Sequence, residues 1–382
     1  GQTYPFLDLC GCGVAYKLAQ GILQKGDFDV AEGWEKWLLD MVGIATVSDM
    51  VPLVGENRAL AHFGLFVLRK SPRPGLRHLL RKIGVNQRMI IEDDIGFMIG
   101  PRINAASRMG EPMEAFELLT TKDEVRAGEL AKKLESINRE RKTAVAVITK
   151  EVKKKLSARS EASPVIVAGN PNWRPALLGL VANSVAEEYE RPVFLWGREG
   201  NDLLKGSCRT GADINLVELM SHAEDAFLEF GGHAASGGFS VHEDAIHSIE
   251  EKLSSAFEKL SGEKKVREMF ADLELDINVV DARLIKKLSK LAPFGVGNDK
   301  PVFLFKNVVP EEVTWFGKGK EHIKARFNTV IGSREAVAFF AKRELGESAT
   351  RLEEGKEVSI VGALEIDTFK RVPRIRLQQI LT

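Results

Sequence analysis

The sequence has few cysteines, no long apolar run and no net charge, and each shortage excludes a class of protein. Its 382 residues contain three cysteines, Cys10, Cys12 and Cys208. Three are too few for a disulfide framework, and the spacing of Cys10 and Cys12 suits neither a zinc knuckle nor a C-x-x-C redox pair. No run of about 18 apolar residues occurs, so we expect no membrane span. No signal peptide is visible either, and we expect a reducing, cytoplasmic compartment.

The charges balance, with 54 Lys+Arg against 54 Asp+Glu. A nucleic-acid partner therefore cannot be inferred from net charge and would need local basic patches. Hydrophobic residues make up 44% and charged residues 28%, which is a globular composition with enough apolar material for several cores. The length suggests two or three domains. Because the chain starts with Gly1 rather than Met and runs at once into Tyr4-Pro5-Phe6, we expect that an N-terminal segment is missing.

The overall pattern predicts an α/β protein with one long helix and a final β-rich domain. Residues 121–157 carry an apolar stripe at helical spacing, uninterrupted after Gly128, which predicts a helix that bridges two domains. Residues 165–261 alternate strand-like and helical runs and indicate an α/β domain. After residue 268, strand-like runs recur with turn residues between them, which is typical of a small closed or partly closed barrel. The apolar run 41–47 fits a buried strand or a helix equally well.

Asp49 follows that apolar run and is a candidate metal ligand. A carboxylate at the end of a buried element is well placed to bind a divalent cation. Aspartate is also a common cap or turn residue. The residue pattern by itself leaves both roles open.

Two segments carry arginines that suit phosphate. Residues 100–110 are rich in small side chains and predict a loop in which Arg102, Asn104 and Arg108 bind phosphate, since small residues admit a ligand and guanidinium groups bind phosphate bidentately. Ser207 and Arg209 lie two residues apart in a predicted strand, so both face one way and could share a phosphate. Solvated arginines on a loop and an exposed strand face are the alternatives.

The run 230–239 has four glycines and two alanines around one histidine. We predict a loop that brings backbone N–H groups and an imidazole against a phosphate chain. Its candidate binding residues are Gly231, Gly232 and His233. The alternative is a structural histidine.

In the last domain, basic residues alternate along a predicted strand that follows an aromatic pair. Aromatic side chains interleaved with cations are what a groove for single-stranded nucleic acid requires. An ordinary solvated face is the alternative. The candidate DNA-binding residues are Trp315, Lys318, Lys320, Lys324 and Arg326. A second basic cluster consists of Arg371, Arg374 and Arg376.

Together these segments resemble the RecJ family within the DHH phosphoesterase superfamily. Five segments match the family in its order. Residues 4–15 resemble the segment that follows the DHH signature, and residues 46–58 resemble the fourth motif, whose aspartate is a metal ligand. Residues 101–108 resemble the next signature, 231–234 the DHHA1 signature and 293–298 the entry to the RecJ OB domain. The final barrel favours RecJ over the small DHH phosphodiesterases, which lack it. The Asp-x-Asp and DHH motifs are absent, Ser107 replaces the usual glycine, and Arg174-Pro175-Ala176 replaces His-Pro-Gly.

The resemblance implies four parts. These are the end of a DHH catalytic domain at 1–120, a connecting helix at 121–160, an α/β DHHA1 domain at 161–264 and an OB-fold barrel at 265–382.

For the intact protein, the resemblance implies 5′-to-3′ exonuclease activity on single-stranded DNA in repair and recombination. Two Mg²⁺ or Mn²⁺ ions would hold the scissile phosphate and activate water. Asp49 would be a metal ligand and His233 would act near the reacting phosphate. The expected partners are single-stranded DNA and a single-strand-binding protein or helicase, with no membrane. The rival hypothesis is a non-catalytic single-strand-binding replication factor with a degenerate DHH fold; intact Asp-x-Asp and DHH motifs upstream would exclude it.

Overall fold

The computed structural model of the chain forms two compact units, each assembled from separate stretches of sequence. The structure describes residues 4–159, 163–199, 203–260, 270–317, 319–330, 332–367, 370 and 372–381. The first unit comprises Gly1–Ser71, Val85–Gly100 and Glu268–Thr382, and the second comprises Pro72–Gly84 and Pro101–Arg267. The four-part division of the chain stays a prediction, since the two units group the segments differently.

Helices dominate the first 160 residues and alternate with strands afterwards. The helices are α1 (Gly11–Lys25), α2 (Leu39–Ser48), α3 (Gly55–Leu68), α4 (Pro74–Ile83), α5 (Glu92–Asp94), α6 (Gly100–Met109), α7 (Pro112–Thr120), α8 (Glu124–Ser157), α9 (Pro175–Tyr189), α10 (Leu216–Ser221), α11 (Ile249–Leu260), α12 (Ala282–Leu288) and α13 (Ala341–Glu344). No helix among the described residues combines the length and hydropathy needed to cross a bilayer.

The strands form two sheets. They are β1 (Ile166–Gly169), β2 (Pro192–Glu199), β3 (Leu203–Thr210), β4 (Glu229–His233), β5 (Ser236–Val241), β6 (Leu273–Glu274), β7 (Val302–Val308), β8 (Pro310–Phe316), β9 (His322–Thr329), β10 (Gly332–Ala338), β11 (Val358–Ile366) and β12 (Pro373–Leu381).

In the first unit, the apolar run 41–47 belongs to helix α2. A Cβ atom on Gly43 would lie 2.8 Å from the Cα atom of Gly64 in α3, so two glycines let the backbones of α2 and α3 touch. Such close packing is available to a helix pair only where side chains are absent. The tertiary contact therefore decides between strand and helix where periodicity did not.

The seven-stranded sheet of the first unit has the order β6-β7-β11-β12-β10-β9-β8. Its buried face packs Phe305, Phe327 and Ile360 into one core. Within the described residues, strand pairing runs from β6 to β8 and does not close into a ring. The expected barrel is thus an open one, while the OB-fold assignment is confirmed.

In the second unit, α8 confirms the long helix expected over 121–157. Its N-terminus is capped by Asp123, whose carboxylate accepts hydrogen bonds from the backbone N–H groups of Val125 and Arg126. Leu130 and Leu134 of the apolar stripe are fully buried. The expected α/β domain is also present, as a five-stranded sheet in the order β1-β2-β3-β5-β4, with β1 and β2 parallel and the other neighbours antiparallel.

Candidate phosphate-binding site

Strand β3 presents Ser207 and Arg209 on one face, as predicted. The residue between them, Cys208, is fully buried in the core on the opposite face, and burial raises the pKa of its thiol to about 12. Helix α9 covers the face of Ser207 and Arg209 at Gly179. A Cβ atom on Gly179 would lie 2.9 Å from Nη2 of Arg209 and 3.6 Å from Oγ of Ser207. The glycine therefore leaves room for both polar groups beneath the helix.

Arg108 reaches the same region from helix α6. Its Nη1 donates a hydrogen bond of 2.8 Å to the carbonyl oxygen of Ala176, in the first turn of α9. The loop predicted for residues 100–110 is wrong, since α6 runs to Met109. The small residues serve helix packing: Ala105 and Ala106 are fully buried, which brings the helix close to its neighbours. Asn104 and Ser107 lie on its exposed face.

Arg102 has a different environment from Arg108. It is buried, and its Nε donates a hydrogen bond of 2.6 Å to the carboxylate of Glu135 on α8. A buried arginine paired in this way is committed to joining two helices, since removing either partner would leave a buried charge. Of the arginines predicted on this segment, Arg108 is therefore the better placed to meet a ligand.

Arg141 joins the cluster and was missed by the sequence reasoning. Burial lowers the pKa of Arg141, and the charges of Arg108 and Arg102 lower it further. Burial likewise lowers the pKa of Arg209, and the charge of Arg108 also lowers it. In the part of the chain that the structure describes, neither Arg108, Arg141 nor Arg209 has a carboxylate within ion-pair distance. Half-buried cations that repel one another without a counter-charge make this cluster a candidate site for a polyanion.

A sequence signal for Arg141 does exist. The apolar stripe of α8 advances by three or four residues, and the position between Ile137 and Ala144 holds Arg141 instead of an apolar residue. One turn earlier, Asn138 is also buried, and neither atom of its amide has a hydrogen-bond partner among the described residues. Such groups are rare in folded proteins, and this one lies along the helix beside the arginine cluster.

His233 lies in a hairpin rather than in the predicted loop. Strands β4 and β5 pair His233 with Ser236, and β5 pairs Ser236 with Arg209 of β3. Residues directly opposite each other in antiparallel strands point to the same face, so these three side chains form one row. At about 4.8 Å per strand, the Cα atoms of Arg209 and His233 are about 10 Å apart.

The next row across the same strands consists of Ser207 and two glycines, which form a floor without side chains beside the serine. It pairs Ser207 with Gly238 and Gly238 with Gly231. A Cβ atom on Gly231 would meet nothing within 4 Å, so the floor is open above it. Gly232 instead requires glycine for its backbone, with φ at +148° and a Cβ position 2.3 Å from the carbonyl oxygen of Ser236.

Asp49 lies in the first unit, at the C-terminal cap of α2, and is exposed. Burial raises the pKa of the nearby Cys12, and the charges of Cys10, Asp49 and Asp40 raise it further. Among the described residues, no group of three or more His, Cys, Asp or Glu side chains could hold a metal ion. These residues therefore do not form a complete site for two divalent cations, and Asp49 offers a single carboxylate.

The predicted basic strand of the OB domain is β9, and most of its charge is paired. Arg326 lies 2.9 Å from Glu311 and 3.1 Å from Glu312, and Lys324 lies 3.9 Å from Glu335. Strand register extends this pairing into a charge ladder across five strands. The ladder consists of Glu312, Arg326, Glu335, Arg374 and Glu365. Opposite charges facing each other across strands stabilise the sheet.

The other candidates of this domain have separate positions. Trp315 pairs with Ile323 and packs against the core, on the face opposite Lys324. Lys320 lies in the exposed turn after β8. Lys318 lies outside the described residues, as does Arg371.

An aromatic cluster missed by the sequence reasoning lies at the end of these strands. His322 is 5.1 Å from Phe316, 5.3 Å from Phe339 and 4.9 Å from Phe340, measured between ring centroids. The guanidinium of Arg376 lies 4.3 Å from the centroid of Phe339. The signal for it was the pair Phe339-Phe340 directly after β10. Rings beside a stacked arginine can accept the faces of nucleobases.

Comparison with known proteins now defines the class. The family model of the DHHA1 domain matches residues 162–260, and that of the RecJ OB domain matches residues 271–380. The chain thus contains a DHHA1 domain followed by an OB domain, the order expected from the resemblance to the RecJ family. It belongs to the RecJ family.

Relatives and solved structures agree with this family. The single-stranded-DNA-specific exonuclease RecJ of Bacillus subtilis is 31% identical over 99% of this chain and 47% of its own length. The RecJ of Thermus thermophilus is 32% identical over 76% of this chain and 41% of its own length. The crystal structure of RecJ with Mg²⁺ from Thermus thermophilus has a TM-score of 0.79 at 28% identity, covering 100% of this chain and 57% of that one. The chain spans about half the length of the curated relatives it matches.

Proposed function

We propose that this chain is part of a 5′-to-3′ exonuclease specific for single-stranded DNA, and that its second unit binds phosphates of the substrate strand. The observation that carries the proposal is the arginine cluster of Arg108, Arg141 and Arg209, which has no carboxylate partner in the described part of the chain. Ser207 and an open glycine floor lie beside Arg209. A phosphate there would neutralise the mutual repulsion of the guanidinium groups.

The chemistry of this site favours phosphate over other anions. Guanidinium groups bind phosphate bidentately, and their hydrogen bonds strengthen where burial lowers the local dielectric. The Ser207 hydroxyl adds a donor, and the glycines let a nucleotide approach the sheet closely. In this proposal Arg102 supports the cluster through Glu135, Asn104 and Gly231 line its approach, and Gly232 gives the backbone conformation of the hairpin that carries His233.

His233 is proposed to act at the far end of the same row. Its exposed imidazole is two strands from Arg209, so a nucleotide held by Arg209 could extend to it. At that position the imidazole could donate a hydrogen bond to a phosphate oxygen or hold a proton near the reacting group. We assign it a role in the reaction on this basis.

Divalent cations, Mg²⁺ or Mn²⁺, are part of the proposal because the solved RecJ structures contain them. Two such ions would supply Lewis acidity and an activated water when bound. Asp49 is the ligand we propose from this chain. Since the described residues do not complete the site, we derive no catalytic step through it.

We propose that the OB domain binds nucleotides of the strand other than the one that is cleaved. Among the predicted residues Lys320 and Lys324 keep the most available charge, while Arg326 is shared with two glutamates. We add the aromatic cluster with Arg376 to this surface. The partners expected from the resemblance, a single-strand-binding protein or a helicase, and a cytoplasmic location complete the proposal.

The test of phosphate binding is Arg209→Ala. We expect the affinity of the chain for a 5′-phosphorylated oligonucleotide to fall by about one to two decades, because a charge-assisted contact contributes roughly 1.5–3 kcal/mol. Arg209→Lys should restore only part of this affinity, since an ammonium group cannot reproduce the bidentate fork of a guanidinium group. The measurement is fluorescence anisotropy on matched 5′-phosphate and 5′-hydroxyl oligonucleotides.

Arg139→Ala is the matched control. Arg139 is exposed on the same helix as Arg141 and lies outside the cluster, so its loss removes the same charge without a phosphate contact. Equal losses for Arg209→Ala on the two oligonucleotides would show that Arg209 does not bind the terminal phosphate. Equal losses for Arg209→Ala and Arg139→Ala would show that only net charge matters.

A further inference from the structure

A basic groove runs between helices α8 and α9 of the second unit, outside the segments that the sequence predicted to bind phosphate or DNA. It has a volume of about 630 Å³, and none of the described residues that line it carries a carboxylate. The cations that line it are Arg141, Lys142, Lys150 and Lys153. Of these, Lys153 is paired with Glu188 at 2.6 Å, while Lys142 and Lys150 are exposed and have no ion pair among the described residues.

The groove is continuous with the arginine cluster because Arg141 belongs to both. The charges of Arg108 and Arg102 repel its guanidinium group, and the same side chain lines the groove. The Nε atom of Arg141 is buried and has no hydrogen-bond partner in the described part of the chain. From Arg141 to Lys153 the helix advances twelve residues, or about 18 Å, which leaves room for more than one phosphate of an extended strand.

We propose that this groove binds the phosphodiester backbone of the single strand whose terminal phosphate occupies the arginine cluster. The inference rests on the proposed function and extends it by assigning a path for the neighbouring nucleotides along α8. The lining between the cations is small or apolar, with Val145, Ala146 and Leu180, and two hydroxyls, Thr149 and Ser184. Within the part of the chain that the structure describes, no lining residue is aromatic, so binding there should follow the backbone charge and not the bases.

The test is the double charge reversal Lys142→Glu with Lys150→Glu in the full chain. Binding is measured for two 5′-phosphorylated probes, a dinucleotide that fills only the cluster and a 20-nucleotide strand. We expect affinity for the long strand to fall at least tenfold and its salt slope to decrease by about 1.4, at about 0.7 per lost phosphate contact. Affinity for the dinucleotide should change by less than twofold.

The matched control is Arg139→Glu with Lys154→Glu. Both side chains are exposed on α8 and lie outside the groove, so this variant changes the same charge on the same helix. If the control weakens the long strand as much as the groove variant, the groove is not the path. If both probes weaken equally in the groove variant, the effect is long-range charge and the proposal is wrong.

Two further outcomes distinguish a failure of the groove proposal from a failure of the proposed function. Arg209→Ala should weaken both probes; if it weakens neither, the proposed function fails, whatever the groove does. If the groove variant keeps full affinity for the long strand but loses a hexa-aspartate peptide that the wild type binds, the groove serves an acidic protein segment and the proposal is overturned. The glutamine variants Lys142→Gln and Lys150→Gln repeat the measurement should charge reversal disturb folding.

Discussion

At the residue scale, the phosphate-binding site depends on the absence of a Cβ atom at Gly179. Gly179 is buried in the second turn of α9, where glycine is unfavourable for a helix by about 1 kcal/mol relative to alanine. Its position above Arg209 and Ser207 explains the residue, because any Cβ atom would enter the space of the guanidinium. Gly179 therefore makes the helix less favourable but leaves the space that Arg209 and Ser207 need.

We therefore expect Gly179→Ala to separate stability from binding. Helix propensity favours alanine by up to about 1 kcal/mol, and the clash at 2.9 Å is with the mobile end of Arg209, which can move away. The melting temperature should stay the same or rise, while affinity for a 5′-phosphorylated oligonucleotide falls several-fold. Thermal unfolding and fluorescence anisotropy on the same preparations measure the two effects.

Gly21→Ala provides the comparison for that variant. Gly21 is also inside a helix, and a Cβ atom there would meet nothing within 4 Å. It should raise helix propensity without changing affinity. If Gly179→Ala binds like the wild type, Arg209 does not need its observed position to hold phosphate.

At the element scale, the alternating basic residues of β9 predicted a DNA-binding face. In the structure most of these residues are instead paired with glutamates in the charge ladder. Lys324 and Arg326 do face one way, as alternation requires. The acidic residues opposite them come from β8 and β10, and no property of β9 alone reveals that pairing. By contrast, the aromatic cluster is formed by residues that precede β9, begin β9 and follow β10, so it arises only when the strands are paired.

We expect Arg326→Ala to act on stability more than on DNA affinity. The hydrogen bond from Thr314 and the pairing with Arg326 lower the pKa of Glu312. A lowered carboxyl pKa stabilises the fold above the unfolded pKa, and this stability is lost as pH falls through the folded pKa. Without Arg326 the pKa should rise towards its ordinary value, so the melting temperature should depend less on pH between 6 and 3.

The measurements are thermal melts across that pH range and oligonucleotide affinity, with Phe340→Ala as the comparison. Phe340 is exposed in the aromatic cluster, and its loss should cost about 1–3 kcal/mol if a base stacks there. Arg326→Ala should leave the affinity within about twofold. A larger loss of affinity for Arg326→Ala than for Phe340→Ala would restore β9 as the binding face.

At the scale of the whole molecule, the chain divides into two units that carry different functions in our proposal. The phosphate-binding cluster is entirely within the second unit, although Arg108 and Arg209 are a hundred residues apart in sequence. Asp49 and the OB sheet belong to the first unit. Within that unit, the loop that enters the OB domain contacts the helical segment, where the N–H of Leu53 donates to the carbonyl of Val296 at 2.6 Å.

We expect this polypeptide alone to release no mononucleotides from single-stranded DNA. One candidate carboxylate, Asp49, cannot hold two divalent ions, and no group of three or more His, Cys, Asp or Glu side chains among the described residues could hold a metal ion. The measurement is incubation of the purified chain with end-labelled single-stranded DNA and Mn²⁺, with EDTA as the control. Metal-dependent release of mononucleotides would contradict the prediction, whereas binding without cleavage is the expected result.

The sequence by itself determined the family, the long helix, the α/β domain and the facing of Ser207 and Arg209, because these follow from local periodicity and from motifs that are contiguous in the chain. Only the tertiary structure decided that residues 100–109 are helical, that His233 shares a row with Arg209, that Arg102 is paired and that Arg141 completes the cluster. The physical reason is that each of these depends on partners distant in sequence: the neighbours that bury Ala105 and Ala106 for the helix, the register of three strands for His233, Glu135 for Arg102, and Arg108 for Arg141.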